Sequence, residues 1–188
     1  VAGSTVNTLS ALDAVNGGAG KDTLKIGFAA GIIALPSLTS VEVIEVQGAA
    51  DVTVASTPAD VTNLNVTQAK NVDVTGGATT AVAVSGATGA KIEVKGGSDV
   101  AVTSATLDQT VTVSGIKGAV TVSATTDAGA IKVTGGTNVT VTSTAATKSA
   151  AIDAIDATGA IVVTQNLNSD GKADLAGGAI TTKGGTSV

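Results

Sequence analysis

The sequence predicts an all-β fold, a right-handed parallel β-solenoid with about 20 residues in each coil of two strands. Three observations lead to this prediction: short runs of alternating apolar and polar residues, turn residues between the runs, and a spacing that becomes regular when every second run is counted. The chain has 188 residues, 43% of them hydrophobic and 13% charged, which is enough apolar chain for one domain with a core.

The alternating runs begin near Val41 and are rich in valine, as expected of strands with one buried face. Glycine pairs, Thr-Gly, Asp and Asn stand between the runs and predict turns. The central positions of the runs are 44–46, 52–54, 64–66, 72–74, 82–84, 92–94, 100–102, 111–113, 120–122, 131–133, 139–141 and 161–163.

Every second run starts about 20 residues after its predecessor, as expected of a coil that lays one strand directly above the last. We therefore expect two columns of inward side chains. One column contains Val72, Ile92, Val111 and Ile131, and the other contains Leu64, Val82, Val100, Val120 and Val139. The outward positions between them carry polar or small residues, namely Asp73, Glu93, Ala101, Thr112, Thr121, Lys132 and Thr140.

Two other arrangements remain open at this point. Turn signals every 8 to 12 residues also fit an antiparallel β-sandwich, although the strands are short and no Trp, Tyr or Cys marks a sandwich core. A coil of three strands and about 30 residues is the other alternative.

The composition excludes several kinds of chemistry. The chain has no Cys, His, Met, Trp or Tyr, and one aromatic residue, Phe28. Because Cys and His are absent, a catalytic triad, a thiol nucleophile and a Cys/His zinc site are ruled out. All ten basic residues are lysines. A net charge of −5 without arginine or stacking aromatics argues against nucleic-acid binding. No apolar run reaches the roughly 18 to 20 residues of a membrane span.

Three regions follow from the pattern. Residues 1–40 form an irregular N-terminal coil, in which 8–15 predicts a short helix or turn, and residues 41–165 form the solenoid. Residues 166–188 contain a calcium-loop-like turn and a truncated last repeat. The segment 92–100 (IEVKGGSDV) recurs at 131–139 and begins again at 180–188, so we expect a piece of a longer repetitive protein.

The first candidate metal site is the segment GGAGKDTLK at residues 17–25. It matches the calcium-binding pattern G-G-x-G-x-D-x-U-x at every fixed position. Glycines let the backbone turn so that carbonyl groups face inward, and a carboxylate supplies charge for a hard cation. We expect Asp22 to be the charged ligand and Gly18 and Gly20 to contribute carbonyls. The alternative is a glycine-rich turn with a solvated Asp22.

The second candidate metal site is the segment NLNSDGKAD at residues 166–174. Its oxygen-bearing side chains resemble the first half of an EF-hand or dockerin calcium loop, although Gly177 stands where the closing Glu belongs. A strand of the repeat is due here, so we expect the loop to replace one. The alternative is a polar turn. The predicted ligands are Asn166, Asn168, Asp170, Lys172 and Asp174.

The run of V-x-V and V-T-G-G units, with the nonapeptide at 17–25, resembles the surface-layer proteins of Gram-negative bacteria, of the Caulobacter-like RTX and β-strand-repeat kind. The resemblance in composition covers the whole chain and the RTX motif covers residues 17–25. It implies secretion, calcium-dependent folding or assembly, and a self-associating lattice on the bacterial cell surface. One nonapeptide stands here where that family has a tandem array.

The leading functional hypothesis is a structural segment that self-assembles into a surface layer or filament stabilised by calcium. Its partners are then copies of itself, with cell-surface polysaccharide as a further one. The alternative is an adhesin or spacer segment of a large secreted protein. An enzyme such as a polysaccharide lyase is not expected, because sugar-cleaving sites need a base and aromatic platforms.

Overall fold

A computed structural model describes residues 9–10, 12–28, 35–125, 127, 129–145, 148–167 and 177–188. Over these residues the chain is all-β, with no helix, and its strands stack in parallel as a β-solenoid of about 7 turns. Successive turns are about 20 residues apart, as the sequence predicted. Every strand pair is parallel, so the antiparallel sandwich is excluded.

The chain alternates between two sheets, which also excludes a three-stranded coil. The first sheet has eight strands and is called the even sheet. Its strands are β2 (Thr23–Phe28), β4 (Val43–Gly48), β6 (Asn63–Gln68), β8 (Ala81–Val84), β10 (Val100–Ser104), β12 (Val120–Ala124), β14 (Val139–Ala145) and β16 (Ile161–Leu167).

The second sheet has seven strands and is called the odd sheet. Its strands are β5 (Val52–Val54), β7 (Val72–Thr75), β9 (Lys91–Lys95), β11 (Thr110–Ile116), β13 (Ala130–Gly135), β15 (Ala151–Ala157) and β17 (Ile180–Gly184). Strands β1 (Ala14–Asn16) and β3 (Ser37–Thr39) form a separate parallel pair, so Ala14 and Val15 are extended where the sequence predicted a short helix or turn.

The strand register confirms both predicted columns of inward side chains. In the odd sheet, Ile92 pairs with Val72 and Val111, and Val111 with Ile131. The even-sheet column runs through paired residues in the order Leu24, Ile44, Leu64, Val82, Val100, Val120, Val139 and Ile161. Parallel pairing in register places each valine or isoleucine on its equivalent one lap away, so the core is a continuous apolar stack.

The core is closed to solvent even though each lap is thin. Val111, Val120 and Val122 have no exposed surface, and all belong to one buried cluster that runs through both sheets. Aliphatic side chains of this size fill the narrow space between the two sheets. None of the outward positions named above is buried.

Glycine pairs make the tight corners that the sequence assigned to them. Gly96 and Gly97 have φ angles of 64° and 124°, and the equivalent Gly135 and Gly136 have 87° and 97°. These left-handed backbone angles are strained for residues with a Cβ atom.

The expectation that the loop near residue 166 replaces a strand is wrong. Ile152 of β15 pairs with Ile180 of β17, so the strand order is unbroken and the lap is longer. The extra residues lie between β16 and β17. A corner loop can lengthen without shifting the stack, because each strand pairs only with the strands of adjacent laps.

Candidate functional site

The nonapeptide at 17–25 lies at the corner between β1 and β2 and continues into β2. Gly18 and Gly20 have φ angles of 91° and 121°, and no atom lies within 4 Å of the place where a Cβ would stand. Gly17 is different, because a Cβ there would collide with the Ser40 carbonyl oxygen and the Asp22 side chain. Two glycines therefore shape the backbone, and the third lets the corner close over Asp22.

Asp22 is held by the lap above it. Its carbonyl oxygen accepts hydrogen bonds from the Glu42 and Val43 backbone nitrogens at 3.2 and 3.0 Å. Its backbone nitrogen donates to the Glu42 carboxylate oxygen Oε2 at 2.8 Å. The Asp22 carboxylate oxygen Oδ2 is buried and has no hydrogen-bond partner. An unpartnered buried carboxylate oxygen is costly unless a cation or water satisfies it.

Glu42 is the residue at this corner that sequence reasoning missed. It is half-buried, and its carboxylate accepts the hydrogen bond from the Asp22 backbone nitrogen. The signal was present in the period of the repeat, because Thr23 pairs with Val43 and the residues before them are therefore neighbours.

The corner fits calcium in part. Calcium binds six to eight oxygens, with carboxylates among them. Asp22 offers one buried unpartnered oxygen, and Glu42 offers a carboxylate that already accepts a backbone hydrogen bond. No group of three or more Asp, Glu, His or Cys residues stands close enough to hold a metal within the described residues. Further ligands would be backbone carbonyls such as those of Gly18 and Gly20.

Little of the second predicted calcium loop can be placed. Asn168, Asp170, Lys172 and Asp174 lie outside the described residues. Asn166 belongs to strand β16, where it is exposed and pairs in register with Thr144 of β14. Asn166 is therefore part of the regular sheet.

The outer face of the odd sheet carries a network of four charges. The Lys95 Nζ lies 3.1 Å from Asp73 Oδ1 and 3.0 Å from Glu93 Oε1. Lys91 pairs closely with Glu93 and lies 3.9 Å from Asp73. Hydrogen bonds from Lys91 and Lys95 hold the pKa of Glu93 below its ordinary value of 4.5. Hydrogen bonds to Glu93 and Asp73 raise the pKa of Lys95 above 10.5. The four groups neutralise one another.

Charge is divided unevenly between the two sheets. The even strands from β6 to β16 contain no charged residue. Charged residues of the odd strands are Asp73, Lys91, Glu93, Lys95, Lys132, Asp153, Asp156 and Lys183. The strands β6 to β16 therefore present an uncharged outer face, called here the even face, whereas β2 and β4 of the same sheet carry the Lys25–Glu45 ion pair.

The even face has a groove with a volume of about 220 Å³. Ala83 and Ala101 lie in its centre, between Asn65 on one neighbouring strand and Thr121 on the other. Asn63 and the carboxylate-bearing Asp99 also line the groove, so the small apolar residues at its centre lie beside polar groups and one charge.

The part of the chain that the structure describes contains no helix that is long and apolar enough to cross a bilayer. Comparisons of the chain with models of protein families, with curated proteins and with solved structures found no match.

Proposed function

We propose that this chain is a structural segment of a bacterial cell-surface protein, which self-assembles into a surface layer or filament and is stabilised by calcium. The observation that carries the proposal is the uncharged even face on a parallel β-solenoid whose other face is charged. A chain with a net charge of −5 repels its own copies. Strands without charged side chains, as in β6 to β16, form a surface on which two copies can meet with little of that repulsion and little desolvation of charge.

The solenoid also suits a load-bearing role. Each lap is joined to the next by backbone ladders in both sheets and by the apolar columns. Stability in such a stack comes from the interfaces between neighbouring laps, so each added lap contributes to it.

Calcium enters the proposal through Asp22. Its buried unpartnered oxygen lies at the corner that joins the first two laps of the even sheet, beside Glu42. A cation there would neutralise both carboxylates and lock that corner. Gly18 and Gly20 have open space where a Cβ would stand, and their carbonyl groups are the further ligands in this proposal.

The direct test is assembly of the purified chain. Light scattering and negative-stain electron microscopy, with millimolar calcium or with a chelator, should show sheets or filaments with calcium and smaller species without it. A chain that stays monomeric both with calcium and with the chelator would contradict the proposal.

A pair of charge variants tests the role of the even face. Thr121→Lys and Thr140→Lys place cations on it, whereas Thr112→Lys places one on the odd sheet as a matched control. All three positions point outward, and Thr121 pairs with Thr140 in register. We expect the first two variants to assemble poorly and the control to assemble like the wild type. Equal assembly of all three would contradict a role for this face.

A second candidate function is a spacer or adhesin segment. The eight strands of the even sheet stack to a rod about 33 Å long, which could hold another module away from the cell. A monomer in all conditions that binds surface polysaccharide would favour this function.

A further inference from the structure

The corner at Asn16 and Gly17 brings together the groups that react when an asparagine loses its side-chain amide. In this reaction, called deamidation, the backbone nitrogen of the following residue attacks the side-chain carbon Cγ of the asparagine. Glycine leaves that nitrogen open to approach, because it has no side chain. Asn16 is the one asparagine of the chain that is followed by glycine, and its side chain is exposed at the end of strand β1.

The backbone around Asn16 favours one half of this reaction. The Gly18 backbone nitrogen donates a hydrogen bond to the Asn16 side-chain oxygen Oδ1, and the two atoms are 3.0 Å apart. Attack on Cγ places negative charge on this oxygen, and an N–H group that already points at the oxygen stabilises such a charge. The folded corner therefore prepares the side-chain amide of Asn16 for attack.

The same corner restrains the attacking nitrogen. The Gly17 nitrogen donates to the Thr39 carbonyl oxygen at 3.0 Å, within the parallel pair of β1 and β3 in which Asn16 is the partner of Thr39. Gly17 is also packed closely, because a Cβ there would lie 2.0 Å from the Ser40 carbonyl oxygen and 2.6 Å from the Asp22 Cβ. The nitrogen must leave this hydrogen bond and lose its proton before it can bond to Cγ, so attack requires β1 to separate from β3.

We propose that Asn16 is a deamidation site whose rate is set by the opening of the β1–β3 pair. The Gly17 nitrogen forms a bond to Asn16 Cγ, and the side-chain nitrogen leaves as ammonia together with the proton of the Gly17 nitrogen. A succinimide ring remains. Water then opens the ring, which gives aspartate when the bond from Cγ to nitrogen breaks. It gives isoaspartate when the bond from the Asn16 backbone carbonyl carbon to nitrogen breaks.

Both products alter the first corner of the solenoid. Each adds a negative charge next to Gly17, which lies against the Asp22 side chain. Isoaspartate also adds one carbon atom to the backbone, so Asn16 can no longer pair in register with Thr39. The modified fraction therefore records how often this pair opens. The reaction needs no calcium and no second copy, so it stands or falls independently of the proposed function.

Mass spectrometry of the digested full chain, after incubation at mildly alkaline pH, measures the conversion of Asn16 from amide to acid. We expect conversion in concentrated urea to be at least about tenfold faster than in the folded chain, because urea removes the β1–β3 pair. Asn138 is the internal control. It is exposed and its Oδ1 accepts a backbone hydrogen bond at 2.9 Å, but Val139 follows it, so it should stay intact over the same period.

Two variants separate opening of this pair from unfolding of the whole chain. Leu38 of β3 is buried and pairs with Val15 of β1, so Leu38→Ala should loosen the pair and raise the rate at Asn16 in the folded chain by at least about threefold. Ile152→Ala is the matched control, since it removes a fully buried side chain of the same size from β15 and should leave the rate unchanged. Circular dichroism before incubation checks that both variants are folded. Val15→Ala, a smaller change in the same pair, replaces Leu38→Ala if that variant does not fold.

Each outcome supports or overturns one part of the proposal. If Asn16 reacts no faster than Asn138 in urea, Asn16 is not a deamidation site. Equal rates at Asn16 in urea and in the folded chain would show that the β1–β3 pair does not control the reaction. Equal acceleration by Leu38→Ala and Ile152→Ala would assign that control to global unfolding and overturn the role of this pair.

Discussion

The carboxylate of Asp99 accepts a hydrogen bond from the backbone nitrogen of Ala119, one lap further along the coil, with Oδ1 and the nitrogen 2.7 Å apart. Asn138 makes the same contact with Ala160 at 2.9 Å. In both places the residue before the bonded nitrogen is a glycine, Gly118 or Gly159, whose missing Cβ leaves room for the Asp or Asn side chain. Each pair fastens one corner to the next.

Gly118→Ala should destabilise the chain by about 1–3 kcal/mol, because the added Cβ would collide with Asp99 Oδ1 and with the Ser98 carbonyl oxygen. Urea unfolding followed by circular dichroism measures this change. Gly27→Ala is the matched control. Outside the neighbouring residues of the chain, the nearest atom to its added Cβ is the Gln47 carbonyl oxygen at 4.0 Å, so this variant should change stability by about 0.5 kcal/mol or less. Equal effects of the two variants would contradict the corner contact.

Val122→Asp should lower the Tm by about 10 °C or more, since Val122 has no exposed surface and the carboxylate would enter the apolar column. Thr121→Asp changes the next residue, which points outward, and should shift stability by about 0.5 kcal/mol or less. Thermal melting of the two proteins distinguishes inward from outward positions. A Tm for Val122→Asp close to that of the wild type would show that the column is not packed as described.

The charge network should contribute to stability within a defined pH window. Because the pKa of Glu93 is lowered in the folded chain, its contribution is present above pH 4.5 and is lost as the pH falls through the lowered value. The raised pKa of Lys95 acts in the opposite direction, so its contribution is present below pH 10.5 and is lost as the pH rises through the raised value.

Glu93→Gln isolates the acid side of this window. The variant should melt about 1–2 °C below the wild type at neutral pH, as expected of exposed ion pairs. The difference should shrink as the pH drops below 4.5, which melting curves across the acid range would reveal. A difference that stays constant with pH would assign the effect to packing.

Asp22→Asn should reduce the stabilisation by calcium without destabilising the calcium-free chain. In chelator, loss of the negative charge from a carboxylate with a buried unpartnered oxygen should leave the Tm equal to or above that of the wild type. In calcium, the wild type should gain several degrees and the variant less than half of that gain. Melting in both conditions measures the two shifts, with Asp51→Asn as a control at an exposed corner. Identical calcium shifts in Asp22→Asn and the wild type would remove this corner as the calcium site.

Much of the fold could be predicted from the sequence, for a physical reason. A strand buried on one face imposes a period of two, and a coil imposes a period of about 20, so the positions of Leu64, Val82 and Val100 already implied that they stack. The strand register confirms these positions. The fold of a solenoid is easier to predict from sequence than most folds, because the residues that stack on one another are one period apart along the chain.

The sequence was less informative where the period stops. The loop before β17 has no alternating pattern, so the sequence could not show that it lengthens a corner and leaves the strand order intact. The sequence also could not predict strand β1, because a strand of three residues is too short for an alternating pattern to distinguish it from a turn.

The sequence by itself determined the period of about 20 residues, the identity of the buried columns and the glycine corners, because these follow from periods along the chain. The tertiary structure excluded the three-stranded coil and the antiparallel sandwich that the sequence left open. Only the tertiary structure decided which side chains become neighbours across laps or lie on one face. It placed Glu42 against Asp22 and brought Asp73, Lys91, Glu93 and Lys95 together on one outer face. Such relationships depend on strand register and on the path of each corner, which are fixed when the laps pack together.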